Sequence, residues 1–529
     1  MKPIIKRIRM SKVFSIVSIK YLNTQSIHTL RKTSSRIIFP RQWIIPLKYD
    51  TCIFTRVGYT STYLKYGEIC DIYDIKGFHW HDFFYLFSIY YYLASHRHRL
   101  KGNQMNTKLI VRAIFFLAMW IVMVFTHPLA YACTAFMMSD DESVLVGNNE
   151  DYKIPYTRVW FVPAENDRYG RVFFGYDNWS PQGGMNDQGL FFDFFATKKL
   201  EIKLSKGKPK FPGPMLNIML AELATVEEVL EMFGQYNLEW MSKGQMFIVD
   251  KSGDAAIIEG DEVIRKSGSY QVVTNFRLSK IPEDQRPCRW PAWSCSRYKK
   301  AEKMLAQSNT VTVSHFRDIL KATHRSQYNV IARTLYSNIY DPKKGLVYLY
   351  YLHNFDNEVV LDLNEELKKG RHYYELPSLF GKELTYDRKV YTHPSPAFSI
   401  SYPKHYKVTE PAQDEVLRAK YPISSLPLFQ VVVKDKPQDI RLQDIGERHY
   451  TNEFEKFGSS VKLVSSMQTA LSDGTPANEV QFDWVSNDHW PVKTMIVSTY
   501  REDKLIFAAV SSTAHPEALR EFLYSLRFD

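Results

Sequence analysis

The chain has 529 residues, 45% hydrophobic and 15% aromatic, which is material for two to four domains with buried cores. Its net charge of +11 is unevenly placed: residues 1–104 hold 17 Lys+Arg against 5 Asp+Glu, leaving 51 against 52 for residues 105–529. A basic groove is therefore excluded over most of the chain, and no nucleic-acid partner is expected.

Residues 1–104 carry clusters such as Tyr90-Tyr91-Tyr92 and His96-Arg97-His98-Arg99 without a sustained helical or strand period. They are too aromatic for ordinary disorder and fit no globular pattern. From Met105 the text becomes orderly. Lys108 and Arg112 flank an apolar run from Ala113 to Phe125, and Ala130-Tyr131-Ala132 follows as a small-x-small site. That is the layout of a secretory signal peptide over 105–132, too short to cross a bilayer stably. A signal peptide belongs at an N-terminus, so translation is expected to start at Met105, with 1–104 a non-native extension. The expected location is secreted or periplasmic, with no stable membrane span after processing.

Cleavage after Ala132 makes Cys133 the first residue and leaves Cys133, Cys288 and Cys295 in the mature chain. In an oxidising compartment Cys288 and Cys295 either close a small-loop disulfide or remain unrelated thiols. An N-terminal Cys joins a thiol to an α-amine whose ordinary pKa of about 8 suits it to accept the thiol proton. The thiolate can then attack an amide carbonyl and form a thioester. The rival reading is a cell-envelope lipoprotein or binding module with Cys133 lipidated, which the Tyr131 before the cut fits poorly. A Cys–His pair using His324 or His353 as base is a third reading.

Cys133-Thr134-Ala135-Phe136 reads as a first strand, Asp140 to Ser143 as a turn, and Val144-Leu145-Val146 as the returning strand that carries Asp151 back beside the chain end. Cys133-Thr134-Ala135-Phe136 with Gly147-Asn148-Asn149-Glu150-Asp151-Tyr152 resembles the opening of the choloylglycine hydrolase and penicillin V acylase group. The 18-residue step from Cys133 to Asp151 resembles its branch of acyl-coenzyme A:6-aminopenicillanate acyltransferase and carcinine hydrolase most closely. Further segments follow in that family's order: Gly184 to Leu190, the hairpin Phe247 to Glu259, Val272-Val273-Thr274-Asn275-Phe276, and Ser294-Cys295-Ser296-Arg297.

The resemblance implies an α+β fold, a four-layer αββα sandwich of the N-terminal nucleophile (Ntn) hydrolases, over 133–380. It implies a hydrolase or acyltransferase acting on linear amide C–N bonds of a small N-acyl amide, with no cofactor and no metal. It gives Cys133 the role of nucleophile, Asp151 that of orienting the amine, Asn275 that of oxyanion donor and Arg297 a supporting place. Asn148 and Asn186 are expected to contact substrate. Asn148 stands where bile-salt and penicillin V enzymes carry Arg, which argues against conjugated bile salts. Phe191, Phe192, Phe194 and Phe195 would place aromatics on both faces of one strand, as burial between layers requires.

Thr225-Val226-Glu227-Glu228 is a capping box before the apolar positions Val226, Val229, Leu230 and Phe233. Helices are expected over Ser296–Ala306 and Ser314–Thr323, and a buried strand over Leu346–Leu352. Residues 381–396 read as a polar linker. From Phe398 a run of strands closed by a helix over Pro516–Leu526 resembles a PsbP or Mog1-type α+β antiparallel module spanning 397–529.

Overall fold

The computed structural model describes residues 133–528 apart from 282–291, 309, 326–331, 413 and 456–457. The expected extension, the signal peptide, its cleavage site and Cys288 lie outside the described residues. The architecture is mixed α/β, with antiparallel sheets and few helices.

In chain order the first elements are β1 (Thr134–Ser139), β2 (Val144–Tyr152), β3 (Thr157–Val162), β4 (Arg171–Tyr176), β5 (Pro181–Asn186) and β6 (Phe191–Ala196). Helices α1 (Met215–Glu222) and α2 (Val226–Gly234) precede β7 (Gly244–Val249), β8 (Ala255–Ile258), β9 (Val263–Arg265) and β10 (Tyr270–Thr274). Then come α3 (Ala292–Ala306), α4 (Val313–Thr323), β11 (Arg333–Asp341), β12 (Leu346–Tyr351), β13 (Asn354–Asp362), α5 (Leu363–Lys368) and β14 (His372–Glu375). Two sheets result: one of six strands ordered β10-β1-β2-β11-β12-β13, and one of eight ordered β14-β3-β4-β5-β6-β7-β8-β9.

The local chemistry of these elements follows the sequence closely. Asp140 accepts hydrogen bonds from the backbone of Glu142 and Ser143, which tightens the β1–β2 turn. Thr225 and Glu228 cap α2 reciprocally. Gly189 closes the β5–β6 turn at φ +85°, where a side chain would also meet the Pro342 carbonyl at 2.6 Å.

The sheets face each other through rings: Phe174 of β4 and Phe191 of β6 lie 5.8 and 4.8 Å from Tyr340 of β11, centroid to centroid. On its other side the six-stranded sheet carries α3 and α4, where Asn149 donates to the Leu320 carbonyl and Thr323. On the other side of the eight-stranded sheet, Phe173, Phe192 and Ile248 form a separate core with Met219, Leu220, Val229 and Phe233 of α1 and α2. Alternation along β6 thus sends Phe191 and Phe195 into one core and Phe192 into the other.

The expected linker is corrected: within 381–396, residues Arg388–Pro394 form a strand paired with Ala397–Pro403. Its exposed, polar face made it read as connection. Packing does not break there either, since Tyr386, Phe398, Ile400 and Leu526 join the core that contains Ala135 and Phe191. The fully buried Arg158 of β3 donates to the Tyr386 hydroxyl at 2.6 Å, and His405 meets Asp177 at 2.9 Å. The C-terminal part holds a seven-stranded antiparallel sheet that includes Pro476–Ser486, Pro491–Arg501 and Lys504–Ser512. The expected closing helix is two short turns, Pro516–Leu519 and Arg520–Leu523.

Candidate active site

Strand register assembles the site. Thr134 of β1 stands opposite Thr274 of β10 and Asn149 of β2. One step back along β1, the same register sets Cys133 between Asn275 and Glu150, and Glu150 in turn faces Tyr336 of β11. Asn275, Cys133, Glu150 and Tyr336 thus form one row across four strands. The row faces the eight-stranded sheet: Asn275 Nδ2 donates to the Ala196 carbonyl of β6 at 2.9 Å, and the Tyr176 hydroxyl of β4 donates to Glu150.

Asp151 points the opposite way, toward α3 and α4. Its Oδ2 pairs with Arg297 Nη1 at 3.0 Å, and Thr334 Oγ1 donates to Oδ1 at 2.5 Å. A register shift between Thr334 and Tyr336 lets β11 serve both faces, sending Thr334 to Asp151 and Tyr336 to Glu150. Asp151, Thr334 and Glu150 are each 2% exposed or less.

Burial dominates the electrostatics. Desolvation lifts the Asp151 carboxyl to about 6, against the pull of Arg297 and Thr334, so it is ionised at neutral pH. Among the described residues no cation pairs with Glu150; it is lifted to about 8, first by burial and also by the Asp151 charge, with the Tyr176, Cys133 and Asn148 contacts opposing. Asp193 of β6, fully buried, is raised well above the usual carboxylate range by burial and by Glu150. The Cys133 thiol, 4.0 Å from the Asp151 carbonyl, is pushed well up by burial and by the charges of Glu150, Asp151 and Asp193. In the uncut chain it is therefore a thiol, not a thiolate. Neither histidine is among the groups acting on it. His353, pushed down to about 4 by burial, lies 4.8 Å from His324, ring centre to ring centre, in a tilted arrangement, and His324 acts on Asp151.

The structure thus brings Cys133, Asp151, Asn275 and Arg297 together. Asn275 directs one N–H to Ala196, and Gln245 Nε2 donates to the Thr274 and Phe276 carbonyls on either side, fixing the strand end. Asn148 is buried on β2 with its Oδ1 unbonded. Asn186 is a correction. Its Nδ2 donates to the Leu220 and Leu223 carbonyls at the end of α1, and its Oδ1 accepts from Gln188 and Leu190. Both donors and both acceptor positions are engaged, so the side chain holds a turn to a helix and has nothing left for a substrate. Asp250 and Glu259 are structural likewise: Asp250 accepts from Val226 at the start of α2, and Glu259 from Leu278 and Ser279.

Glu150, Asp193, Tyr176, Tyr336 and Gln245 went unmarked by the motifs. Glu150 sits inside a quoted motif, and the pairing of Cys133 with that position could have singled it out. Asp193 carries no sequence signal, because its place depends on how the two sheets meet. Cys295 is disulfide-bonded, and Cys133 is free. Among the described residues no cluster of three or more His, Cys, Asp or Glu is placed to hold a metal, and no helix is long and apolar enough to cross a membrane.

Residues 137–357 match the acyl-coenzyme A:6-aminopenicillanic acid acyl-transferase family. The matched stretch contains Asp151, Asn275 and Arg297 and begins just after Cys133. The resemblance to the choloylglycine hydrolase group and its acyltransferase branch holds there. Among solved structures, a conjugated bile acid hydrolase from Clostridium perfringens is 17% identical, over 46% of this chain and 96% of that one, with a TM-score of 0.36. A penicillin V acylase from Agrobacterium tumefaciens is 16% identical over 44% and 89%, TM-score 0.33. The cyanobacterial PsbP of Synechocystis sp. PCC 6803 is 13% identical over 28% and 95%, TM-score 0.23. No curated protein matches the chain.

Proposed function

We propose that the protein is an exported cysteine amidase or acyltransferase that cleaves linear amide C–N bonds of a small N-acyl substrate. Cut after Ala132, it acts through a thioester on Cys133, and residues 133–380 are its αββα N-terminal nucleophile domain. The observation that carries this reading is the placement of Cys133 between Asn275 and Glu150 at the strand end, with the buried Asp151–Arg297 pair on the reverse face.

The uncut chain is held inactive by chemistry. The nitrogen of Cys133 is an amide that accepts no proton, and burial, together with the neighbouring acids Glu150, Asp151 and Asp193, opposes a thiolate. Cleavage creates an α-amine at that nitrogen, which takes the thiol proton and leaves a positive charge next to the sulfur. Asp151, anchored by Arg297 and Thr334, holds that ammonium. The thiolate attacks the amide carbonyl, and the remaining N–H of Asn275 donates to the oxyanion. The ammonium then protonates the departing amine. Water completes hydrolysis of the thioester, or a second amine takes the acyl group.

Cys133→Ser keeps the amine and nearly the same shape but replaces the thiol by a hydroxyl that barely ionises at neutral pH. We expect amidase activity to fall by more than about 1000-fold, with melting temperature preserved. Wild type should gain the mass of one acyl group during turnover. Activity retained in Cys133→Ser, or exported protein beginning upstream of residue 133, would remove the reading.

A further inference from the structure

The surroundings of the Cys133 thiol on the inter-sheet side are unbalanced in hydrogen bonding. Glu150 Oε2, Asp193 Oδ2, Asn148 Oδ1 and Asn275 Oδ1 are buried oxygens without a hydrogen bond of ordinary geometry. All are acceptors. Opposite them stand the Tyr336 hydroxyl, buried and likewise unbonded, and the second N–H of Asn275. The four oxygens belong to one neighbourhood. Glu150 and Asp193 act on each other and on Cys133, Asn148 touches Glu150, and Asn275 is the strand neighbour of Cys133.

Buried acceptors in native folds are bonded, and buried carboxylates are paired. Among the described residues, the titratable groups that act on Glu150 and Asp193 are the acid Asp151 from the reverse face, the thiol Cys133 and the phenols Tyr176, Tyr336 and Tyr340, with no Lys, Arg or His among them. On the reverse face of the same strand Asp151 does have its cation, Arg297. The missing partner on the inter-sheet side is therefore a group with several N–H donors, a positive charge and no acceptor of its own. A primary ammonium has that description.

We propose that the substrate carries a protonated amine near its scissile amide, and that Glu150 and Asp193 bind this amine beside the Cys133 thiol. This deepens the amidase reading above and rests on it. Entry of the ammonium favours the ionised carboxylates, so the proton that Glu150 holds at neutral pH leaves to solvent on binding.

The test uses pairs of amides identical except for an ammonium in one and a methyl group in the other, offered to the purified processed protein. The ammonium member should show kcat/KM higher by about 10- to 100-fold, the range for a hydrogen-bonded charge pair. That ratio should fall toward one in Glu150→Gln and in Asp193→Asn. Equal kcat/KM within the pairs overturns the assignment and leaves the amidase reading intact. A second measurement needs neither turnover nor a variant: alkylation of Cys133 by iodoacetamide in the presence of butylammonium or of butanol. Protection by the cation alone supports the site, and equal alkylation rates overturn it. Protection by the cation with no turnover of any amide, and no difference between wild type and Cys133→Ser, keeps the cation site and removes the amidase reading instead.

Discussion

Glu150 and Asp151 are consecutive residues of one strand, buried to the same degree, yet they live in different chemistry. Asp151 looks toward the helices, where Arg297 and Thr334 complete it; Glu150 looks toward the second sheet, where its neighbours are phenols, a thiol and another acid. The alternation of a strand makes this division possible at no cost in length. The pair teaches that burial alone does not set a carboxylate's behaviour. With a cation in place, desolvation is held to about 6; without one it reaches about 8.

The largest effect should come from removing the cation on the completed face. Arg297→Ala would leave Asp151 buried and unpaired, and breaking such a pair costs about 3–5 kcal/mol. Chemical denaturation should show that loss, and activity should fall with it. A loss under about 1 kcal/mol would mean that Asp151 is not charged in the folded protein, and the contrast between the two faces would collapse.

The other face should respond with the opposite sign. Glu150 has a folded pKa above its unfolded value, so its contribution to stability is fully present below about 4.5 and is lost as pH rises through about 8. Glu150→Gln removes the ionisation. It should stabilise the protein at pH 9 by on the order of 1–3 kcal/mol and flatten the decline between those limits. Melting curves at pH 5 and pH 9 decide it: destabilisation at both would show that Glu150 has a compensating cation.

Much of this layout was legible in the sequence, and the reason is physical. The β1–β2 turn, the Thr225 cap and the alternation of β6 are local codes, set by residues a few positions apart. Cys133, Asp151, Asn275 and Arg297 sit in motifs whose order survives in the chain. What was hidden depends on register or on distant packing. Glu150 becomes a neighbour of Cys133 only through pairing, Asp193 only through the meeting of two sheets, and Asn186 turned out structural because α1 ends against it. The strand Arg388–Pro394 escaped notice because its outer positions are exposed and polar, as an edge strand's are.

The smallest effect is also the most specific. Thr334 is joined to Asp151 by one hydrogen bond, and its hydroxyl also accepts from the Arg325 backbone. Thr334→Val keeps the shape of the side chain and removes both, at a cost of about 1 kcal/mol. Since the lost hydrogen bond favours the charged carboxylate, the Asp151 pKa should rise from about 6. Asp151 must be ionised to hold the amine of Cys133, so wild-type activity should fall as pH drops through about 6. In Thr334→Val that acid limb should begin at higher pH, while the rate on the alkaline side changes little. A uniform loss of rate at every pH would assign Thr334 to packing alone. A shifted acid limb ties the rate to the ionisation of the carboxylate on the helix side, and separates it from that of Glu150, to which Thr334 makes no hydrogen bond.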